Sequence, residues 1–334
     1  MTDLSELLST EDLEHVRPRS HPSWVQPTLA TLTHDHFSDP AWLYERKLDG
    51  ERCLAFRDGD SVRFLTRNRK DVSDTYPELV DALAAQDVAD VVLDGEVVAF
   101  EGRQTSFARL QGRLQLSDPK RARASGIEVF YYVFDLLHRD GYDLTGLGLR
   151  TRKNVLRHTL RFTDPLRFSV HRVEHGEAMY REACRKGWEG AIAKRGDGSY
   201  HHGRSTDWLK FKCVRDQELV IGGYTEPQGS RHGLGALLVG YHDHGGLRYA
   251  CKVGTGFTAK VLAQLHDELS RISTDASPFT DAQDVPRRGV HWVRPRTVAQ
   301  IGFTEWTEAG RLRHPRYQGL RRDKDARDVV REQT

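Results

Sequence analysis

ERKLDGER, residues 45–52, is the stretch on which the reading of this 334-residue chain turns. Lys47 closes a run that suits a strand, and Gly50 permits a tight turn, so the lysine amine can face a cleft with Arg52 beside it. A lysine nucleophile has to be neutral. At an unperturbed pKa of roughly 10.4, only about 0.1% is neutral at physiological pH. Nearby cations and burial lower that value, and this sequence offers cations nearby. A surface hairpin with ordinary charges would carry the same eight residues, so the stretch gains meaning only from what accompanies it.

Three further stretches accompany it. Asp94-Gly95-Glu96 reads as a hairpin between strands 91–93 and 97–100, with Asp94 and Glu96 on one side. EGAIAK, residues 189–194, places Glu189 before an apolar strand and Lys194 after it. Acids from separate strands, with only oxygen ligands nearby, suit Mg²⁺ shared with phosphates. WLKFK, residues 208–212, alternates: Lys210 and Lys212 share one face as a phosphate clamp, while Leu209 and Phe211 point at a core. Each alone is also what a solvated strand looks like. Their occurrence together and in this order favours chemistry.

Around these stretches, strands 52–56 and 62–66 flank a hairpin turn at Asp58-Gly59, and 130–137 is an aromatic-rich strand. Apolar spacing predicts helices over 76–85, 106–114, 151–160 and 177–186, and a short one over 11–16 capped by Ser9 or Thr10. After about Val214 the texture changes. Strands 218–224, 236–241 and 247–253, a helix over 259–272 and strands within 291–306 suit a small closed barrel such as the OB-fold. The fold class is therefore α+β, a domain of antiparallel sheets with flanking helices followed by an OB-fold β-barrel. The expected divisions are a leader over 1–24, the larger domain over 25–214 and the barrel over 215–334.

Composition narrows the class further. At 38% hydrophobic and 29% charged, the chain reads as an ordinary globular protein with a sizeable core. No apolar run approaches the roughly 18–20 residues that span a bilayer, and acids occupy the first 25 residues where a signal peptide needs bases. The expected location is cytoplasmic, with no membrane partner. Cys53, Cys184, Cys213 and Cys251 lie far apart and read as four separate reduced thiols. The net charge of +2 says little, but seven bases against two acids over 311–327, and six against one over 103–123, suit a phosphate-rich partner or a solvated face. The histidine pairs at 34 and 36, 201 and 202, and 242 and 244 have no further ligand beside them and read as non-metal residues.

The ordered set Lys47-x-Asp-Gly-x-Arg52, Thr66-Arg67-Asn68, Asp94-Gly95-Glu96, Phe134-Asp135-Leu136-Leu137, Glu189-Gly190-x-x-x-Lys194 and Lys210-x-Lys212 resembles the covalent nucleotidyltransferases. That superfamily comprises DNA ligases, RNA ligases and mRNA-capping guanylyltransferases. The closing run from Arg313 to Lys324 resembles the last motif of ATP-dependent DNA ligases, and 218–225 and 252–257 look like the barrel of bacterial end-joining ligases. The match covers roughly residues 25–325.

The resemblance implies an ATP-dependent DNA ligase, with an RNA ligase or a capping-type enzyme as the alternative. It implies Lys47 as the nucleophile that takes AMP, with Lys210 and Lys212 on the α-phosphate. Glu45 recognises the adenine amino group and Phe134 stacks on the ring. Arg52, Arg67 and Glu96 line the ribose and the nick, and Lys194 belongs with these nucleotide contacts. Glu96 and Glu189 lie near Mg²⁺ or Mn²⁺. Arg313, Arg321, Asp323 and Lys324 orient pyrophosphate. The implied partners are nicked duplex DNA and end-joining or repair proteins such as Ku, for a monomeric enzyme. The sequence departs from the family at Arg69, where glycine is expected, and at Tyr317, where phenylalanine is usual. No stretch resembles the large N-terminal DNA-binding domain of bigger ligases, or an attached polymerase or nuclease.

Overall fold

Alternation of inward and outward residues along the strands builds two sheets from the first two-thirds of the chain. The computed structural model describes residues 4–213, 216–227, 233–280, 285–286 and 288–332. It divides into two compact units, Met1–Cys213 and Val214–Gln333. Val214, where the sequence texture changes, lies outside the described residues.

The larger sheet of the first unit runs Arg17–Pro18, Tyr142–Asp143, Phe130–Arg139, Asp90–Val98, Glu51–Asp58, Ser61–Thr66, with Leu166–Phe168 parallel to Phe130–Arg139. Cys53 and Ala55 enter a core with Phe64, Val91, Leu93 and Tyr131. Leu54 and Phe56, pointing the other way, enter a second core with Val92, Phe134, Tyr200 and Trp208. Helices Pro77–Ala84, Phe107–Leu114 and Leu149–Thr159 add Leu79, Leu83, Leu110 and Leu156 to the first core, close to the spans that apolar spacing predicts. Leu4, Leu8 and Val16, from the stretch expected as a leader, pack into that same core. The helix Thr10–His15 between them is capped by Ser9 and Asp12 in a capping box.

The second sheet runs His171–Val173, Trp42–Lys47, Gly190–Arg195, Arg204–Lys212, Leu29–Leu32. Tyr44, Ala191, Ala193 and Phe211 fill a core on one of its faces, against Met179 of the helix Gly176–Arg185. The alternation expected of 208–212 is the one observed.

Two expectations need correction. Asp94-Gly95 is not a hairpin: both residues lie inside the single strand Asp90–Val98. A Cβ at Gly95 would stand 2.5 Å from the Tyr131 ring, so the glycine serves close packing, not a turn. The turn at Asp58-Gly59 does form, with Gly59 at φ +60° and Asp58 paired to Ser61. The thiols are not all separate either. Cys184 lies in the last turn of the helix Gly176–Arg185, Cys213 follows Arg204–Lys212, and the two form a disulfide with their Cα atoms 5.1 Å apart. Their separation of 29 residues hides this, because strand pairing brings the ends together. Cys53 and Cys251 are buried and belong to no disulfide.

The second unit is a six-stranded antiparallel sheet ordered Gly246–Val253, Leu237–Asp243, Asp216–Thr225, Val290–Gly302, Ser273–Thr274, with Arg316–Leu320 also on Val290–Gly302. The helix Ala259–Ser270 packs Leu262, Leu265 and Leu269 into its core. This is the OB-type arrangement expected of the strand-rich segment. No helix among the described residues is long and apolar enough to cross a membrane.

One buried ion pair joins the larger sheet to the helix Leu149–Thr159. The Arg152 guanidinium donates to both carboxylate oxygens of Asp135, at 2.7 and 2.9 Å, and neither side chain is exposed. Removing one partner strands the other charge in the core. Asp135→Ala should therefore cost about 3–5 kcal/mol of unfolding free energy, read by chemical denaturation. A cost near zero would mean that water reaches Arg152.

Candidate active site

Register across the second sheet assembles the residues that the sequence singles out. Lys47 pairs with Gly190, and Gly190 with Lys212. Glu45 pairs with Ile192, and Ile192 with Lys210; Leu43 pairs with Lys194, and Lys194 with Trp208. Directly paired residues share a face, so Glu45, Lys47, Lys194, Trp208, Lys210 and Lys212 all stand on the face opposite Tyr44 and Phe211. Lys47 Nζ forms an ion pair with Glu189, immediately before the strand Gly190–Arg195.

Glycine has two separate roles beside Lys47. Gly190 sits at φ +148°, and a Cβ there would stand 1.9 Å from the carbonyl oxygen of Phe211. Only glycine lets the central strand approach there. Gly50 is not in the left-handed region; a Cβ on it would instead stand 2.2 Å from the carbonyl oxygen of Val97. It therefore allows the chain to pass from one sheet to the other against the Asp90–Val98 strand.

Glu45 is buried and closely held. Lys153 Nζ donates to it at 2.6 Å, Lys194 Nζ at 2.9 Å and Ser169 Oγ at 3.0 Å. Lys153 also donates to the carbonyl oxygens of Phe134 and Ser169. Burial pushes the Glu45 carboxyl up, but the ammonium groups of Lys153 and Lys194 outweigh it and hold the carboxyl down at about 2. Burial pushes Lys194 down to about 8, against the pull of Glu45 and with the repulsion of Lys153. The two ammonium groups thus set the direction for Glu45, whereas burial sets it for Lys194. Sequence reasoning missed Lys153 and Ser169, which stand far from every quoted motif.

The larger sheet supplies the remaining groups. Lys194 Nζ lies 4.0 Å from the Phe134 ring centre and 4.1 Å from that of Trp208, and the two rings meet edge to face at 5.8 Å. Arg52 lies 5.2 Å from Phe134 and forks onto Asp94, which also accepts from Tyr200. Its partner is thus Asp94 of the larger sheet. Glu96 pairs with Arg52 in register. Arg67 follows the strand Ser61–Thr66, in a turn closed by Arg69 N–H on the Thr66 carbonyl at 2.9 Å. Arg69 itself takes φ +63°, the conformation for which glycine is expected at this position.

In the second unit the basic residues divide. Arg321 forks onto Asp323 at 2.9 and 2.8 Å, and Lys324 meets Glu218 at 3.3 Å. Asp323 is buried, which raises its carboxyl, but the Arg321 guanidinium pulls it below the ordinary value. Arg313 pairs with Glu305 at 2.6 Å on a separate two-stranded ribbon. Tyr317, where phenylalanine is usual, is buried with its ring stacked on Phe257 at 4.7 Å.

Residues 27–212 match the family model "ATP dependent DNA ligase domain", and residues 230–324 match "ATP dependent DNA ligase C terminal region". The chain belongs to the ATP-dependent DNA ligases. Among curated relatives of this ligase, the multifunctional non-homologous end joining protein LigD of Pseudomonas aeruginosa is 38% identical over 317 residues, covering 92% of this chain and 37% of that protein. The LigD of Mycobacterium tuberculosis is 39% identical over 321 residues, covering 92% and 40%. The ligase chain thus spans about two-fifths of the length of these relatives. A solved mycobacterial DNA ligase D complexed with ATP and MES superposes with a TM-score of 0.65 at 34% identity, covering 92% of this chain and 98% of that one.

The state of Glu45 gives this ligase a pH dependence. A carboxyl held below its unfolded value stabilises the fold fully above about 4.5, and that contribution is lost as pH falls toward about 2. Stability against urea should fall over that window in the native chain and fall less steeply in Glu45→Gln. Parallel profiles would show that the loss comes from other carboxylates.

Proposed function

We propose that the chain seals nicks between a 3′-hydroxyl and a 5′-phosphate in duplex DNA, through AMP carried on Lys47 and then on the 5′-phosphate, in end-joining repair. The observation that carries this reading is the row Lys47–Gly190–Lys212, with Glu189 on the amine and Lys210 one row further along the same face. In this reading Lys47 attacks the α-phosphorus of ATP lying over this face and expels pyrophosphate, while Lys210 and Lys212 neutralise the charge that builds on its oxygens. The ordering of these groups before reaction is the chain's main contribution.

Attack requires a neutral amine, and the ion pair with Glu189 favours the ammonium. Engagement of Glu189 elsewhere frees Lys47 from that influence, leaving the positive field of Lys210 and Lys212. Carboxylate oxygens from Glu189 and Glu96 suit a hard cation, so these residues hold Mg²⁺ or Mn²⁺ in our reading. When bound, the ion supplies charge neutralisation at the phosphates. For the base, Phe134 and Trp208 supply the aromatic walls and Glu45 the polar contact. Arg52 and Arg67 face the ribose and the nick, and Lys194, already on Phe134, belongs with the base contacts. Arg313, Arg321, Asp323 and Lys324 serve the departing pyrophosphate. The partners are nicked duplex DNA and end-joining proteins such as Ku, for an enzyme that acts as a monomer.

Lys47→Ala should reduce labelling of the chain by α-labelled ATP to background on a denaturing gel, and α-labelled GTP should label neither form. A wild-type band from the variant would remove Lys47 from the nucleophile position. Labelling by GTP would favour a capping-type activity.

Arg313→Ala distinguishes the steps. It should depress lysyl-AMP formation by about 10²-fold while a nick already carrying 5′-AMP is still sealed. Equal losses on both substrates would assign Arg313 to DNA binding or to the fold.

A further inference from the structure

His21, Asp90 and His138 form the one group of three or more potential metal ligands among the described residues. They come from the segment ahead of the strand Leu29–Leu32, the first residue of Asp90–Val98, and the strand Phe130–Arg139. Pairing of Val92 with His138 brings the last two together. His21 Nδ1 lies 2.7 Å and His138 Nε2 3.0 Å from Asp90 Oδ1. The Gly141 N–H donates to Asp90 Oδ2 at 2.7 Å and fixes the carboxylate from behind. The imidazole planes cross at 83° with centroids 5.4 Å apart, so the rings converge on the carboxylate without stacking. The side chains of His138 and His21 are 1% and 10% exposed, while Asp90 is 27% exposed and leaves a path for an ion and water.

A hydrogen-bonded triad accounts for the nitrogens that face Asp90 and leaves the outer ones to be explained on any reading. Asp90 satisfies one nitrogen of each ring, and the far nitrogens, His21 Nε2 and His138 Nδ1, are buried without partners. Doubly protonating the cluster would gather two cations around one anion, whereas an ion on the two nitrogens facing Asp90 keeps each ring neutral, with its single proton on the far nitrogen, where only water could accept it. Two neutral imidazoles and one carboxylate are instead a donor set for a borderline divalent ion. In a tetrahedron with bonds of about 2.0 Å, donors stand about 3.3 Å apart. The two spacings to Asp90 Oδ1, 2.7 and 3.0 Å, would widen by about 0.6 and 0.3 Å to reach it.

We propose that His21, Asp90 and His138 bind one divalent transition-metal ion of the Zn²⁺ class, with water completing its coordination. The site is structural. It fastens the segment ahead of Leu29–Leu32 to the ends of the two strands that carry Asp94, Glu96 and Phe134. Its nitrogen donors separate it chemically from the oxygen-only pair Glu96 and Glu189. Spacings of 69 residues between His21 and Asp90, and 48 between Asp90 and His138, explain why no sequence motif announces it.

The test is a Co²⁺ titration of the full chain followed by visible absorption, with Zn²⁺ competition and thermal unfolding alongside. The wild type should take up one Co²⁺ with ligand-field bands, lose them to Zn²⁺, and melt higher with Zn²⁺ present. His21→Gln and Asp90→Asn should each bind at least about a hundredfold more weakly and show no thermal shift. Circular dichroism checks that both variants fold, and His21, in the segment outside the paired strands, is the substitution least able to disturb them. Bands of equal intensity in the wild type and both variants would place the ion on other histidines. Absence of bands in the wild type would reduce the cluster to hydrogen bonding. Either result overturns the proposal.

Discussion

A single buried carboxylate organises the first unit. Glu45 takes hydrogen bonds from a lysine on the helix Leu149–Thr159, a lysine on the neighbouring strand and a serine after Leu166–Phe168. Lys153 extends the same contact to the main chain of Phe134 in the other sheet. Charges so deeply buried are tolerated only when each finds a partner, so this cluster allows few arrangements of the elements around it. Its consequence for Lys47 is direct. Side chains two apart on a strand share a face, so fixing Glu45 fixes where the Lys47 amine emerges.

The two sheets of that unit divide the work by the side to which each residue points. Residues at 53 and 55 fill a core, and those at 52, 54 and 56 turn toward aromatic residues that belong to both sheets. Phe134 and Trp208 meet there with Lys194 over both rings. Cations over aromatic faces are favoured when desolvated, which helps to keep Lys194 in place despite the burial that weakens it as a base.

Much of this was legible in the sequence, and the reasons differ from element to element. Long amphipathic helices and the alternating 208–212 strand announce themselves because burial imposes a period on them. The row of Lys47, Lys210 and Lys212 was legible because these residues stand in the fixed order of the family motifs. What stayed hidden depends on contacts between distant segments. Lys153 lies in an ordinary-looking helix, and nothing local marks it as the partner of Glu45. Gly95 looked like a turn residue because aspartate and glycine usually signal one; only the Tyr131 ring beside it explains the glycine. The basic run over 311–327 also reads differently in three dimensions. Arg313, Arg321, Arg322, Lys324 and Arg327 each pair with an acid within the unit, so their charges are largely balanced at home.

The bond between Cys184 and Cys213 turns the intervening chain into a covalent ring. That ring contains Glu189, Lys194, Lys210 and Lys212, along with both strands on which the last three stand. A protease cutting once anywhere inside it would break a peptide bond without releasing a fragment, and the severed ends would stay threaded into a sheet whose pairing holds them. The surface that faces the nucleotide in our reading is thus cross-linked covalently across two of its strands. In a reducing compartment that fastening is absent, and the same strands depend on their pairing and on the core behind them.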